Sequence, residues 1–529
     1  MIPAGHYPRF RAPQGDGEVL CVPTIEELPA LVIRNRQRPE LANVEWFGRS
    51  LAEIAASARQ EILSDALAYT RQYTDLGDSP GADQPLILTG HQPELFHPGV
   101  WLKNFEAARL ATTCGGTAIN LIIDSDLCRS PAVRVPTGSA SELQAEIVPF
   151  DQAMTELPFE ERLIAEPELW KSFGSRVVHN LESLINQPLV KEWWPTVLAE
   201  GQKTEKLGYA ISQARHQLEL EWGSRSLELP QSHVCRSEGF RLFALQLWGR
   251  ADEFRAAYNA ALADYRLAHG LKNHAQPVPD LVAHEDWIET PFWLWSSTEP
   301  VRRGVFLRRV GSELEFTDRN KLSCLIPLDA ALALEKLAEL ESQGIKLRTR
   351  ALATTLFARL LLADVFIHGI GGAKYDQVTD AICGSFFGLA LPAYATISGT
   401  LRLPIPSPNI TRDSVGDLRQ ELRGHRFHPE CFVDAMQIPA AEVSRVEAAI
   451  AKKRDWIHIK KTLANAAARH QTIVAINEEL QPFLNNRQQL LERQIVAAKL
   501  AASAELLRNS REYAYCLFPR QDLQNFFRL

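Results

Sequence analysis

Residues 86–124 read LILTGHQPELFHPGVWLKNFEAARLATTCGGTAINLIID. Leu86–Thr89 is a short apolar, partly β-branched run, the composition of a strand covered on both faces. It breaks into a turn carrying Gly90 and Gly99. The chain then enters WLKNFEAARLATTCG, whose apolar residues recur at helical spacing until Gly115 and Gly116 close the helix. TAINLIID follows as a second strand. Strand, loop, helix and strand at this spacing form a βαβ unit, which implies a parallel sheet. The polar residues collect at the carboxyl ends of the strands, where open α/β sheets bind ligands.

Upstream, SLAEIAASARQEILSDALAYTRQ (50–72) has helical periodicity, and DLGDSPGADQP (75–85) ends that helix. Residues 141–280 are mixed and mostly helical. The segment 287–319 changes character, with aromatic alternation, paired arginines and a turn at VGSE, and predicts a small β-rich insertion. After 345 the α/β rhythm returns, with a helix, a short strand, a glycine turn, another helix and a strand ending near Ser398. From 441 to about 510 glycine is almost absent, which predicts long helices, an antiparallel pair turning at LQPFLNN around Pro482. The expected organisation is an α/β core in two parts, 1–140 and 345–440. Between them lie a helical connective region, 141–280, and the β-rich insertion, 281–344; a helical hairpin or coiled-coil arm, 441–529, ends the chain. Such an arm has little core of its own and must pack on the body or on a second subunit.

A chain of 529 residues has room for roughly two to four domains. With 46% hydrophobic and 23% charged residues it falls in the globular class. A formal charge of −7 disfavours a sequence-independent nucleic-acid binder. The start, MIPAGHYPRFRAP, has no apolar run of signal-peptide length, and no stretch reaches the ~18 apolar residues of a spanning helix, so the cytoplasm is the expected compartment. Eight scattered cysteines without a CxxC pair indicate reduced thiols rather than a disulfide framework or zinc knuckle.

Four clusters could carry chemistry. The first is Thr89, Gly90, His91, Gln92, Glu94, His97 and Gly99, followed by Lys103 and Asn104. Glycines let backbone approach a ligand, and the amides of a helix beginning near Gly99 could face an anion. Loop caps bonded to carbonyls are the plain alternative for either histidine. The second is Asp124, Ser125 and Asp126, with Arg129 as a salt-bridge partner; acids at a strand end can hold a sugar hydroxyl, an ammonium group or magnesium. The third is FIHGIGGAKYDQVTD (366–380), with His368, Gly371, Gly372, Lys374, Asp376 and Asp380. Asp376 and Asp380 share a helical face if the helix has begun by then. Ala373 before the lysine and Tyr375 after it exclude the phosphate-binding loop GxxxxGK[ST]. The fourth, HEDWIETPFW (284–293), sets acids among aromatics and serves equally as the edge of the β insertion. No GxSxG elbow is present, which weakens a serine hydrolase.

LILTGHQPELFHPGVWLKNFEAARLA resembles the amino-terminal signature of the bacillithiol-biosynthesis cysteine-adding enzymes, a TGQQ-type stretch followed by a glycine loop and a lysine-bearing helix. Thr89, Gly90 and Gln92 match, His91 replaces the first glutamine, and Leu95, Phe96, Gly99 and Lys103 keep later positions. LFPRQDLQNFFRL resembles that family's ending, and IHGIGGAKYDQVTD occupies the place of its second glycine-rich segment. The family's EDHD-type stretch appears here only as DSDLC, which keeps Asp124 and Asp126 without a histidine, and FHPG lacks the second histidine of an HxGH-like region. The resemblance implies a Rossmann-like, nucleotidyltransferase-type core with connective insertions and a helical arm that dimerises. It also implies a ligase that joins cysteine, or another amine or thiol amino acid, to a sugar-linked acid.

On this reading His91 or His97 is the base or a phosphate contact. Lys374, with the amides of Gly371 and Gly372, stabilises anionic oxygens. Asp124 and Asp126 hold an amine, sugar or metal, and Asp376 and His368 complete the site with Thr89, Gly90, Gln92, Gly99, Lys103 and Asn104. ATP or ADP and magnesium stay open as cofactors, and no metal ligand set is assigned. The expected partners are a small-molecule substrate and a second copy of the chain, with neither nucleic acid nor membrane. Two alternatives are a non-catalytic metabolite-binding scaffold and a metal-dependent hydrolase using His91, His97, Asp124 and His368.

Overall fold

A computed structural model of the chain describes residues 8–76, 81, 83–140, 142–153, 157–273, 275–407 and 415–528. The first seven residues of the start, and residues 77–80 and 82 of the expected helix-ending stretch, lie outside the described residues. The chain divides into two compact units, 1–135 with 146–404 and 511–529, and 136–145 with 405–510.

The first unit is mixed α/β. Its main sheet has six strands in the order Val19–Val22, Ala395–Gly399, Val365–His368, Leu86–His91, Thr117–Ile122 and Leu227–Pro230. All neighbours are parallel except the first pair. From Leu86–His91 the chain adds two strands on one side, then crosses to add Val365–His368 and Ala395–Gly399 on the other. The winding therefore reverses between Leu86–His91 and Val365–His368. Loops that leave two adjacent strands in opposite directions open a crevice at their carboxyl ends. The strands are the apolar runs the sequence displays, with residues 86–89, 117–122 and 365–368 all buried, as in a parallel sheet covered on both faces.

Helices set the ends of these strands. Leu51–Thr70 starts in a capping box of Ser50 and Glu53 and packs Leu51, Ile54, Ile62 and Ala66 into the core shared with Leu88, Ile119 and Leu121. Pro98–Cys114 has His97 as its cap and Pro98 in its first turn, and it ends on Gly115 at φ +63°, a conformation that favours glycine. Ile370–Phe386 begins one residue after the strand Val365–His368. The expected glycine turn is thus only Gly369, and Gly371 and Gly372 lie in the first helical turn. A Cβ at Gly372 would come within 2.8 Å of His368 Nδ1, so glycine there lets the helix start against the strand end.

A second, antiparallel sheet orders Ser323–Pro327, Glu313–Thr317, Glu299–Val310, Trp287–Ser296 and Ile345–Thr349. VGSE forms its tight turn, with Gly311 at φ +61°. The closing strand falls just beyond residue 344, and HEDWIETPFW leads into Trp287–Ser296, which is paired on both sides and not at the sheet edge expected of it, with His284, Glu285 and Asp286 exposed. The helices from Pro167–Leu181 to Ala251–His269 fill the stretch between the two sheets in the chain.

In the second unit, Val443–His458 and Ala466–Leu480 share a core of Val446, Ile450, Ile476, Leu480 and Leu484. Asn485–Arg508 packs Leu491 and Ile495 on Leu418 of Val415–Phe427. The antiparallel pair expected to turn at LQPFLNN is therefore not the pairing observed. Pro482 sits in the first turn of a short 3₁₀ segment, Gln481–Leu484, where its missing N–H costs nothing and the chain stays right-handed. Residues 511–529, expected within the arm, belong to the first unit. No helix among the described residues is long and apolar enough to cross a membrane. All eight cysteines are free.

Candidate functional site

The strand reversal gathers the first cluster. Thr89 Oγ1 donates to the Ile367 carbonyl at 2.9 Å and stitches the two strands together beneath the crevice. Gly90 follows, with a Cβ position 3.2 Å from the Leu121 carbonyl. Lys103, only 3% exposed, reaches back from its helix and donates from Nζ to the Gly90 carbonyl at 2.8 Å. Its Cδ lies 3.9 Å from the Cβ position of Gly369, at the end of the neighbouring strand. Burial, and then the Arg215 guanidinium, push its pKa down to about 7. Among the described residues no carboxylate pairs with it.

His91 Nδ1 lies 3.0 Å from the Gln92 carbonyl, an acceptor, so Nδ1 carries the proton and Nε2 the lone pair. Its ring stands edge-on to Phe96. Burial and Lys103 hold its pKa down at about 3. His97 caps its helix by accepting the Gly99 N–H at Nδ1, 3.1 Å away, and burial, Arg511 and Lys103 likewise hold it at about 3. Both rings are neutral at pH 7. The cap uses the Gly99 amide, and the Val100 N–H goes to the His97 carbonyl, which corrects the expectation that these amides face an anion. Gly99 itself is required for packing, because its Cβ would lie 1.9 Å from the Gly399 carbonyl.

The third cluster is rearranged. His368 Nε2 bonds Asp376 Oδ2 at 2.7 Å, and Arg359 reaches Asp376 at 2.6 Å and Asp380 at 2.7 Å. Asp376 and Asp380 do share a face, and Arg359 occupies it. Burial would raise the Asp376 carboxyl, yet Arg359 and His368 hold it well below its usual value; burial pushes Asp380 up to about 6. Asp376 is 1% exposed and shares its Oδ2 between His368 and Arg359, so it ties the strand end to the helix, a structural position where a catalytic one was expected. Lys374 is exposed, and its charge acts on His269. Lys103, not Lys374, is the lysine whose charge reaches His91, His97 and His368. Gly371 has open space around its Cβ position.

The two aspartates of the second cluster part company. Asp124 is fully buried and accepts from Tyr209 at 2.8 Å and from the Ser232 N–H at 2.9 Å and its hydroxyl at 2.5 Å, so it is consumed in holding the Leu227–Pro230 strand end. Asp126 stays at the crevice rim, bonded to Gln92 Nε2 at 2.9 Å and Arg302 Nη1 at 3.0 Å. Burial would raise it, but Gln92 and Arg302 keep it low. Its ion pair is with Arg302 of the antiparallel sheet, not with Arg129.

Asn104 is turned away from the crevice and donates to Glu219 at 2.9 Å. Glu219 belongs to a buried network in which Arg215 pairs with Glu219 and Glu228, and Asn120 also bonds Glu228. Arg215 lies over the Phe96 ring. Arg215, Glu219, Glu228, Arg359 and Arg511 carry no motif, and Arg302 stands in the sequence only as one of the paired arginines of the β-rich segment. A lone charge inside an apolar run, such as Arg359 in LFARLLL, was the available signal, because a buried charge requires a partner. Arg302 and Arg511 left no such mark.

His91, His97, Asp124 and His368 do not converge, and the described residues contain no group of three or more side chains able to hold a metal ion. The carboxylates named for magnesium are occupied by hydrogen-bond donors, so the residues present do not fit that ion. A separate groove of about 910 Å³, between Pro167–Leu181 and Val190–Thr204, has its charged residues Lys171, His179, Glu182 and Lys191 on the exposed rim. No family model matches this chain, and no curated protein matches it.

Proposed function

We propose that the first unit is a Rossmann-like enzyme core acting on a small anionic metabolite at the strand reversal. The reaction is of the ligase type that the likeness to the bacillithiol cysteine-adding enzymes implies. The observation that carries this reading is the convergence, from one strand, loop and helix, of a base-competent His91 Nε2, a neutral His97 and a buried Lys103 without a carboxylate partner. In this reading His91 accepts the proton of an attacking amine or thiol. An anionic group beside Lys103 raises the imidazole pKa toward the range useful for a base. Lys103 stabilises charge that develops on the acceptor oxygen. Asp126 with Gln92 and Arg302 orients the second substrate at the rim.

The acid must enter as an activated acyl group whose leaving group departs as the new bond forms, and a nucleotide phosphate, compatible with Lys103, is one such activating group. The homodimer that the likeness implies would use Asn485–Arg508, which exposes Leu490, Val496, Leu500 and Leu506. The test is a thermal-shift screen with cysteine, glucosaminyl malate and nucleotides, followed by turnover assays on each hit. Cysteine-dependent product that is lost in His91→Gln supports the reading. Tight binding without turnover favours a metabolite-binding scaffold.

A further inference from the structure

Arg511 opens the C-terminal segment of the first unit, more than four hundred residues from the loop it meets. Its Nη2 donates to Ser398 Oγ at 3.1 Å, at the carboxyl end of Ala395–Gly399, and lies 3.4 Å from His97 Nε2. The tautomer of His97 decides what that contact is. The Gly99 N–H is a fixed donor to Nδ1, so the neutral ring carries its proton on Nε2. Two donors, an imidazole N–H and a guanidinium N–H, therefore face one another without an acceptor between them. The nearest carboxylate is the exposed Glu512, 4.0 Å from His97 Nε2 and 3.5 Å from Arg511 Nε, too far from the imidazole for a hydrogen bond.

Lys103 lies on the helix that His97 caps and brings Nζ to the Gly90 carbonyl and Cδ beside Gly369, at the ends of two neighbouring strands, and its charge acts on the same imidazole as that of Arg511. One cation comes from the helix that leaves the reversal, the other from the end of the chain, and both act on one neutral ring in a protein whose net charge is −7. Arg511 Nε pairs with the exposed Glu512, but Arg511 Nη2 and the His97 Nε2 proton share no acceptor, so these convergent donors at the carboxyl end of a parallel sheet lack one component, an oxyanion.

We infer that Arg511, His97 and Lys103 form an oxyanion-binding subsite, which takes a phosphoryl or carboxylate group of the ligand with Arg511 and His97 Nε2 donating to its oxygens. The inference rests on the crevice being the ligand site, and it names the ligand chemistry there. Gly99 fits this assignment, because its Cβ position lies 3.0 Å from Arg511 Nη2 and a side chain would displace the guanidinium.

The test uses the full chain. Inorganic phosphate and malonate are titrated separately at constant ionic strength and followed by thermal shift and calorimetry, with sodium chloride as the matched control. The expected result is saturable stabilisation by one or both anions, the preferred one indicating a phosphate ester or a carboxylate. Affinity should fall tenfold or more in Arg511→Gln and Lys103→Met, and less in Arg511→Lys, which keeps the charge but loses the forked donors. If Arg511→Gln fails to fold, Arg511→Lys and His97→Gln carry the comparison, each checked by its unfolding transition without ligand. Absence of saturable stabilisation by either anion overturns the inference, as does unchanged affinity in the folded variants. The ligase reading fails separately: anion binding that depends on Arg511, without cysteine-dependent turnover, keeps the subsite and removes the ligase. Turnover that survives Arg511→Gln unchanged removes the subsite and keeps the ligase.

Discussion

Lys103 Nζ sits 2.8 Å from the Gly90 carbonyl, so a helix residue returns to the end of the strand that precedes it and holds a buried ammonium group at the strand reversal. The cost of holding it there depends on pH. In the unfolded chain Lys103 keeps its proton up to about 10.5, whereas in the folded chain it releases it near 7. Between these values the unfolded chain binds more protons, so stability rises with pH; below about 7 the penalty is complete, and above 10.5 it is gone. Lys103→Met is expected to be more stable than the parent near neutral pH by about 2 kcal/mol, a value reduced by loss of the Gly90 hydrogen bond. The advantage should shrink toward alkaline pH in urea unfolding series. A constant difference across that range would mean that the ammonium is not desolvated.

Gly99 and Gly371 separate packing from flexibility. Gly99→Ala would put a methyl group 1.9 Å from the Gly399 carbonyl, a contact with backbone on both sides that cannot relax by a side-chain rotation. The expected loss is about 3 kcal/mol or more, read as a lowered unfolding midpoint. Gly371→Ala meets nothing within 4 Å inside a helix and should stabilise by roughly 0.5–1 kcal/mol. Equal effects at the two positions would contradict the close approach at Gly99.

The parallel strands Leu86–His91, Thr117–Ile122, Val365–His368 and Ala395–Gly399 were legible because each is an apolar run beside polar turn chemistry, and helix Pro98–Cys114 because a glycine closes it, whereas the short Leu227–Pro230 was hidden in a stretch expected to be mostly helical. The order of those strands was not legible, since nothing in LILT or VFIH records which strand becomes its neighbour. Within the site, His91, His97 and Lys103 stand close in sequence and were named together. Arg302 and Arg511 arrive from far along the chain, as do Ser232 and Tyr209, the buried partners of Asp124, while Arg359 lies 17 residues before Asp376, across the strand Val365–His368. Pairings closed over such separations are set by tertiary packing and leave no local pattern.

Lys374 and Asp376 are two residues apart and should behave oppositely. Asp376→Asn leaves the buried Arg359 short of a charge partner and weakens the His368 contact, with an expected cost of about 3 kcal/mol. Lys374→Ala removes an exposed charge and should shift stability by no more than ~0.5 kcal/mol, with the phosphate or malonate response unchanged. Anion binding that weakens tenfold in Lys374→Ala would return that lysine to the site.

Asp124 and Asp126 lie on one strand end, and exchanging each for asparagine should divide fold from function. Asp124 accepts three hydrogen bonds while fully buried, and an amide can present only one oxygen to them. Asp124→Asn should therefore lower stability by about 1–3 kcal/mol, through a donor left facing a donor. Asp126 has a side chain 36% exposed, so its exchange should cost less than about 1 kcal/mol. What it does change is Arg302, which loses the charge of its ion-pair partner and keeps neutral acceptors, the amide oxygen of the new asparagine and the Ser125 carbonyl at 2.9 Å, beside the Trp293 ring. If the rim orients the second substrate, Asp126→Asn should raise that substrate's KM with kcat nearly unaltered, while Asp124→Asn should change neither in the fraction that remains folded. A fall in kcat alone on Asp126→Asn would move that carboxylate from orientation to the chemical step.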